Sequence, residues 1–124
     1  MYLLLSILML FSGADAKVAV TAVGSNPDSQ VDARFGRAAW YLIYDPAAGT
    51  WEAINHSENL PSGAGPDAVA ELKARGVKVV ITGQCGPNAL GALQSAGIKV
   101  YRASDCTVAE ALRDYEGGRL KPIE

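Results

Sequence analysis

The chain has 124 residues, with eleven basic and thirteen acidic side chains and a formal net charge of −2. This length suits one domain rather than two, and an apolar content of 49% is enough for a hydrophobic core. The charge balance offers no general attraction to nucleic acid or to an anionic membrane. Two cysteines are too few for a disulfide scaffold, so reduced thiols in a cytoplasm are expected.

Residues 1–16 differ in composition from the rest of the chain. Residues 3–11 form an apolar run that is too short to cross a bilayer, and residues 14–16 have the Ala-x-Ala ending of a secretory leader. The positively charged start of a leader is missing. Three interpretations of the segment remain. It is a leader, which would mean export; an extension from a misassigned start; or an extra element folded onto the domain. We favour a mistaken or non-native start, with a single domain at residues 17–124.

The first half of the domain reads as one strand followed by a hairpin. Residues 17–23 form the first predicted strand, which ends at a Gly-Ser-Asn-Pro-Asp turn. A loop at residues 30–37 leads to two strands at residues 39–45 and 50–54. The Pro-Ala-Ala-Gly turn between these two strands is short enough for an antiparallel hairpin.

The second half of the domain alternates helices with strands. β-Branched runs predict buried strands, while proline or a capping box at one end and glycine at the other predict helices. The predicted strands lie at residues 77–81 and 98–101. The first predicted helix opens at residues 63–67 and stops at Gly76. The second opens at residues 86–88 and stops at Gly97, and the third opens at residues 107–110 and stops at Gly117. The tail at residues 119–124 is expected to be loose.

This order predicts an α/β fold. Its mixed sheet has five strands, mostly parallel with one antiparallel member, and carries helices on both faces. The loop at residues 82–88 joins a strand to a helix and therefore lies at the carboxyl edge of the sheet. Open α/β folds bind their ligands at this edge, so we expect function there.

Three motifs follow one another along the domain: Asp-Ala-Arg-Phe-Gly-Arg-Ala at residues 32–38, Gly-Ala-Gly at 63–65 and Thr-Gly-x-x-Gly-Pro-Asn-Ala at 82–89. Together they resemble the dinitrogenase iron–molybdenum cofactor biosynthesis family of the NifX and NifB C-terminal type, which includes the molybdenum–copper orange protein. The resemblance spans residues 17–120 and implies a ribonuclease-H-like three-layer domain. It also implies a non-enzymatic carrier that passes a metal–sulfur cluster, of Mo–Cu or Fe–Mo type, from donor to acceptor proteins. Members often have histidine at the position of Arg34, so a ligand role of that histidine does not transfer.

A metal–sulfur cluster of this kind is an anion, which helix N-termini, arginine and glycine-rich loops hold well without covalent bonds. The alternative is that these glycines only form tight turns and the arginines are solvated. Phe35 is either an apolar wall of the site or an anchor for its loop. The candidate cofactor-binding residues are Arg34, Phe35, Gly36, Arg37, Gly63, Ala64, Gly65, Gly83, Gly86, Pro87 and Asn88.

Three further side chains are candidate metal ligands. Cys85 and Cys106 follow neighbouring predicted strands, so we expect both thiols at the same edge, each near a helix N-terminus that favours the thiolate. Thiolates suit Cu(I) or an iron–sulfur precursor, although lone cysteines are usually inert apolar residues. His56, the only histidine, is either a ligand or a solvated loop residue.

Other function classes remain as alternatives. A thiol redox protein would use Cys85 with Cys106, and its two sulfurs would have to come within bonding range. A hydrolase would need clustered acids for two metal ions, but Asp28, Asp32 and Asp45 are scattered. A protein–protein adaptor would need an exposed apolar patch, which the N-terminal run could supply. We expect a monomer that binds no nucleic acid.

Overall fold

The computed structural model of the protein describes residues 16–55 and 65–123, with the side chains of residues 65–67 left out. These residues form six strands and three helices. In chain order they are β1 (Lys17–Ala22), β2 (Trp40–Asp45), β3 (Thr50–Asn55), α1 (Gly65–Ala74), β4 (Val77–Thr82), α2 (Pro87–Ser95), β5 (Lys99–Arg102), α3 (Val108–Glu116) and β6 (Lys121–Pro122).

The strands form one mixed sheet in the order β3-β2-β1-β4-β5-β6. β1 and β5 both run parallel to β4, whereas β2 runs antiparallel to its neighbours β1 and β3. The mixed α/β sheet and the hairpin are as predicted. The ribonuclease-H-like assignment itself stays a prediction.

The prediction of five strands and a loose tail is wrong. Lys121–Pro122 forms a sixth strand, antiparallel to β5, and the amide of Ile123 donates to the carbonyl of Val100 at 2.8 Å. The sheet therefore has two antiparallel members, β2 and β6. Pro122 is compatible with this position because an edge strand has one row of backbone groups that needs no partner.

Helices cover both faces of the sheet, as expected. On one face, Leu72 of α1 and Leu93 of α2 pack against Val80 and other buried strand residues. On the opposite face, Val108 and Leu112 of α3 pack against a second set of strand residues. Alternate residues of each strand supply the two cores, which gives a three-layer domain.

All three helices begin at the carboxyl edge of the sheet. α1 and α2 each lead into a strand within three residues through a glycine with positive φ, Gly76 (φ 85°) and Gly97 (φ 77°). These helices therefore run antiparallel to the strands, and their N-termini lie where β1, β4 and β5 end. α3 begins at this edge with the predicted capping box of Thr107 and Glu110. Within the two described ranges, no helix is both long and apolar enough to span a membrane.

Candidate functional site

A loop at residues 23–39, here called the crossing loop, follows β1 and runs across the carboxyl edge. Its first half pairs with the segment before α3, where the amide of Val31 donates to the carbonyl of Cys106 at 2.9 Å. Its second half lies beside the segment before α2. There the amide of Phe35 donates to the carbonyl of Gln84 at 3.1 Å, and Arg34 and Gln84 form a parallel β-bridge. The crossing loop therefore brings Arg34 beside the start of α2.

The carboxylate of Asp32 shapes the second half of the crossing loop. Asp32 is only 5% exposed, and its two oxygens accept hydrogen bonds from the amides of Arg34 (3.0 Å) and Ala39 (3.3 Å). The hydroxyl of Thr21 in β1 donates to the Asp32 carbonyl at 2.8 Å. Each oxygen of the Asp32 carboxylate thus has one backbone amide as a hydrogen-bond donor. Asp32 therefore has a structural role that sequence reasoning missed, although Asp two residues before a turn amide is a known turn signal.

Phe35 anchors the crossing loop in the core. It is 1% exposed, its ring packs edge-to-face on Tyr41 with 5.6 Å between centroids, and the Tyr41 hydroxyl donates to its carbonyl. Burial, together with the nearby Asp32 and Cys85, raises the pKa of Tyr41, which keeps the hydroxyl protonated as a donor. Of the two alternatives for Phe35, the described geometry places its ring in the core beneath the loop.

Gly83 allows the crossing loop to approach the end of β4. A Cβ atom at this position would lie 2.7 Å from the Cα of Ala33, closer than side-chain carbons come to backbone atoms. Beneath this contact the buried hydroxyls of Thr21 and Thr82 are 2.9 Å apart and hydrogen-bonded. The absence of a side chain at Gly83 therefore permits the crossing loop to pack this closely against the end of β4.

The solvent-exposed part of this edge carries arginines and backbone amides near the start of α2, and acidic Asp105 and Glu110 near the start of α3. Arg34 has a side chain that is 62% exposed, with Nε 3.6 Å from Asp32, and Arg37 is exposed without an ion pair in the part of the chain that the structure describes. α2 begins after Gly86 with no side-chain cap, and Pro87 has no amide to donate. The amides of Asn88 and Ala89 lie in its first turn, where the helix supplies no acceptor. Such amides, with the positive end of the helix dipole, attract anions.

The family model described as dinitrogenase iron-molybdenum cofactor matches residues 16–118. The chain belongs to this family. A comparison with curated proteins finds no match.

Solved structures share the fold of this chain, and two of them also share its sequence at 38% identity. The apo form of the orange protein from Desulfovibrio gigas is 38% identical, with a TM-score of 0.79, and the match covers 88% of this chain and 97% of that one. A protein from Thermotoga assigned as NifB is also 38% identical, with a TM-score of 0.77, covering 86% and 92%. A protein from Methanocaldococcus jannaschii assigned as a dinitrogenase is 15% identical, covers 87% and 94% with a TM-score of 0.67, and shows the fold alone.

The two cysteines of this family member reach the same edge but opposite faces of the sheet. Cys85 packs against the core beneath α1 and α2, and Cys106 packs against the core beneath α3. Both are free thiols, and burial raises the pKa of both; for Cys106, nearby Glu110 and Asp114 act in the same direction. These raised pKa values run against the expectation that helix N-termini favour the thiolates, because burial, and for Cys106 also acidic neighbours, disfavours the charged form.

Metal ligands are not brought together in the described ranges. No group of three or more His, Cys, Asp or Glu side chains within these ranges is arranged to hold a metal ion. The candidates His56, Gly63 and Ala64 lie outside the described residues, and Gly65 is the first residue of α1. The described part of the site thus consists of the crossing loop and the start of α2.

Two cavities lie away from this edge. One, of about 420 Å³, lies at the amino edge between Tyr44 and Tyr115, and the other, of about 460 Å³, lies beside β5 and β6 and includes Ile98 and Ile123. Neither is lined by a candidate site residue. The described candidates Arg34, Arg37, Gly86, Pro87 and Asn88 are exposed, whereas Phe35 and Gly83 are buried. A further exposed arginine that sequence reasoning missed, Arg102, ends β5 at this edge. Strand alternation along β5 was the signal that could have found it.

Proposed function

We propose that the protein binds and carries an anionic, molybdenum-containing metal–sulfur cluster, of Mo–Cu or Fe–Mo precursor type, at the carboxyl edge of its sheet. The observation that carries this proposal is the backbone contact between Phe35 and Gln84, which brings exposed Arg34 beside the uncapped start of α2. Arg37 is a second exposed arginine in the same loop. Family membership and the 38% identity to the orange protein support the choice of cargo.

The cargo is held by charge and hydrogen bonds rather than by sulfur. Guanidinium groups and first-turn amides donate to a sulfide-rich anion, and exposed Gly86, with open space at its Cβ position, lets the cluster approach the backbone. The raised pKa values of Cys85 and Cys106 disfavour both thiolates in the metal-free protein. The opposite-face placement of these thiols also gives no support to a thiol redox function.

Carriage differs from catalysis in that the cluster leaves unchanged. We propose that residues 17–124 act as one monomeric domain that receives the cluster from a donor protein and gives it to an acceptor, without turnover. Open, exposed groups suit such transfer, because a partner protein can reach a cluster at the edge of a sheet more readily than one in an enclosed cavity.

Anaerobic reconstitution tests the proposal. The protein is mixed with tetrathiomolybdate and Cu(I), desalted, and examined for visible absorption and bound metal. We expect the wild type to retain the chromophore, and Arg34→Gln with Arg37→Gln to lose it. Arg113→Gln provides the matched control, because Arg113 is an exposed arginine in the last turn of α3, at the opposite edge. Failure of the wild type to retain colour contradicts carriage, and loss of colour in Cys85→Ser contradicts non-covalent capture.

A further inference from the structure

Two like charges face each other across the last pair of strands. Arg102 of β5 and Lys121 of β6 are register partners in an antiparallel pair. Directly opposed residues point to the same face with Cβ atoms about 5 Å apart, and like charges at such positions are destabilising. Both side chains are exposed, and among the residues that the structure describes neither has an acidic ion-pair partner. A pairing that costs stability is a candidate for a functional role.

The pair lies on the face of the sheet that carries α2. Val100 and Ile123, which are bonded to each other across the same two strands, pack against the core beneath α1 and α2. Side chains two positions apart in a strand share a face of the sheet. Arg102 therefore lies on the same face as Val100, and Lys121 lies on the same face as Ile123. Because Arg102 ends β5, this pair stands at the carboxyl edge.

The end of β4 has an arginine on each side. Arg102 pairs with Thr82 from the β5 side, and the amide of Ala103 continues the ladder by donating to the Thr82 carbonyl at 3.1 Å. Arg34 forms its bridge with Gln84, two residues further on, from the side of the crossing loop. Adjacent strands lie about 4.8 Å apart, so the backbones that carry the two arginines are about 10 Å apart across β4. The backbones of the two arginines therefore flank the end of β4 on its two sides.

We propose that Arg102, reinforced by Lys121, is a second cationic arm of the cluster site and makes the site selective for multiply charged anions. This inference rests on the proposed function and deepens it. A cluster or thiometallate of charge −2 or more is held between Arg34 and Arg102, and bound anion relieves the repulsion between Arg102 and Lys121. A monoanion of the same size gains less from the second arm.

Two anions of nearly equal size and different charge test the charge selectivity. Tetrathiomolybdate is a dianion and tetrathioperrhenate is a monoanion, and both absorb visible light. The variants are Arg102→Gln and Lys121→Gln, with Lys99→Gln as the matched control, since Lys99 is exposed in the same strand at its opposite end. At moderate salt, we expect Arg102→Gln to weaken tetrathiomolybdate binding about tenfold and Lys121→Gln to weaken it by a smaller factor. Tetrathioperrhenate affinity changes less, and Lys99→Gln matches the wild type.

The unliganded protein gives a second readout. Since each glutamine substitution removes one of two repelling charges, the unfolding midpoint of apo Arg102→Gln is expected to equal or exceed that of the wild type. A drop below the Lys99→Gln control would assign the pair a structural role and overturn the inference. Tetrathiomolybdate binding by the wild type with no loss in Arg102→Gln would overturn this inference alone. If the wild type binds neither anion, the proposed function fails and the second arm fails with it.

Discussion

Oδ1 of Asp32 accepts a hydrogen bond from the backbone amide of Arg34 at 3.0 Å, and Nε of Arg34 lies 3.6 Å from the same oxygen. The carboxylate thus fixes the point at which the Arg34 side chain leaves the backbone. Because the guanidinium is mostly exposed, solvent screens its attraction to Asp32. The hydrogen bonds from the backbone amides to Asp32 therefore constrain the loop more strongly than the ion pair does. Buried Asp32 therefore positions the backbone of Arg34, whose exposed guanidinium cation is available to bind an anion.

Asp32→Asn tests this constraint. The amide side chain keeps one acceptor oxygen and replaces the other by a donor, which faces the amide of either Arg34 or Ala39. We expect the free energy of unfolding to fall by about 1–3 kcal/mol and the hydrogen exchange of the affected amide to speed up. Asp28→Asn, in the exposed first half of the crossing loop, is the control. Unchanged protection of both amides in Asp32→Asn would show that the carboxylate does not hold the loop.

Two glycine-to-alanine substitutions are expected to have opposite signs. Gly83→Ala places a Cβ against the backbone of Ala33, so the crossing loop must shift, with a loss of about 1–3 kcal/mol in unfolding free energy and weaker thiomolybdate retention. Gly91→Ala, inside α2 with open space around its Cβ position, is expected to add about 0.5–1 kcal/mol. Chemical denaturation of both variants checks the pair. Equal effects would mean that the close approach at Gly83 does not constrain the fold.

Alkylation tests the state of the two thiols. Because the pKa of Cys85 and of Cys106 is raised above the ordinary value of 9.0, each reacts slowly with iodoacetamide at neutral pH, and its rate rises with a midpoint above pH 9. The unfolded protein supplies the reference profile. Since the folded-state pKa is the higher one, stability is expected to decline as pH rises from 9 through the folded-state pKa. A reaction midpoint below pH 8 for either thiol would restore it as a thiolate ligand.

The parts of the fold that sequence predicted depend on local signals. The β-branched run of β4 and the capping box of α3 involve residues close in the chain, and both appear in the structure. β6 has no such signal, since two residues that include a proline become a strand only by pairing with β5. Long-range pairing of so short a segment is invisible to periodicity.

The candidate site was predictable to a similar extent. Arg34 and the loop before α2 lie side by side because both follow strands that end at one edge. The opposite faces of Cys85 and Cys106 depend on how each loop turns after its strand, which the sequence does not encode in a short motif. The protonation of these thiols depends on burial, a property of the whole fold.

The capping box of α3 gives the protein an acid-sensitive contact. The amide and hydroxyl of Thr107 donate to Oε1 of Glu110 at 2.9 and 3.1 Å, and the amide of Glu110 donates to the Thr107 hydroxyl at 3.2 Å. These hydrogen bonds, first that of the Thr107 amide, hold the pKa of Glu110 below its ordinary value of 4.5. The hydrogen bond from the Thr107 amide to Glu110 gives an acceptor to a backbone N–H group that has none within the helix.

Glu110→Gln is expected to lower the unfolding midpoint at pH 7. Because the folded-state pKa of Glu110 is lowered, its charged contribution is present above pH 4.5 and is lost as pH falls through the folded-state value. The gap between the wild type and Glu110→Gln should therefore narrow below pH 4.5, as followed by thermal unfolding across pH 3–7. Glu116→Gln, at the last position of the same helix and outside the capping box, is the control. A gap that stays constant down to pH 3 would mean that the Glu110 carboxylate contributes through shape rather than charge.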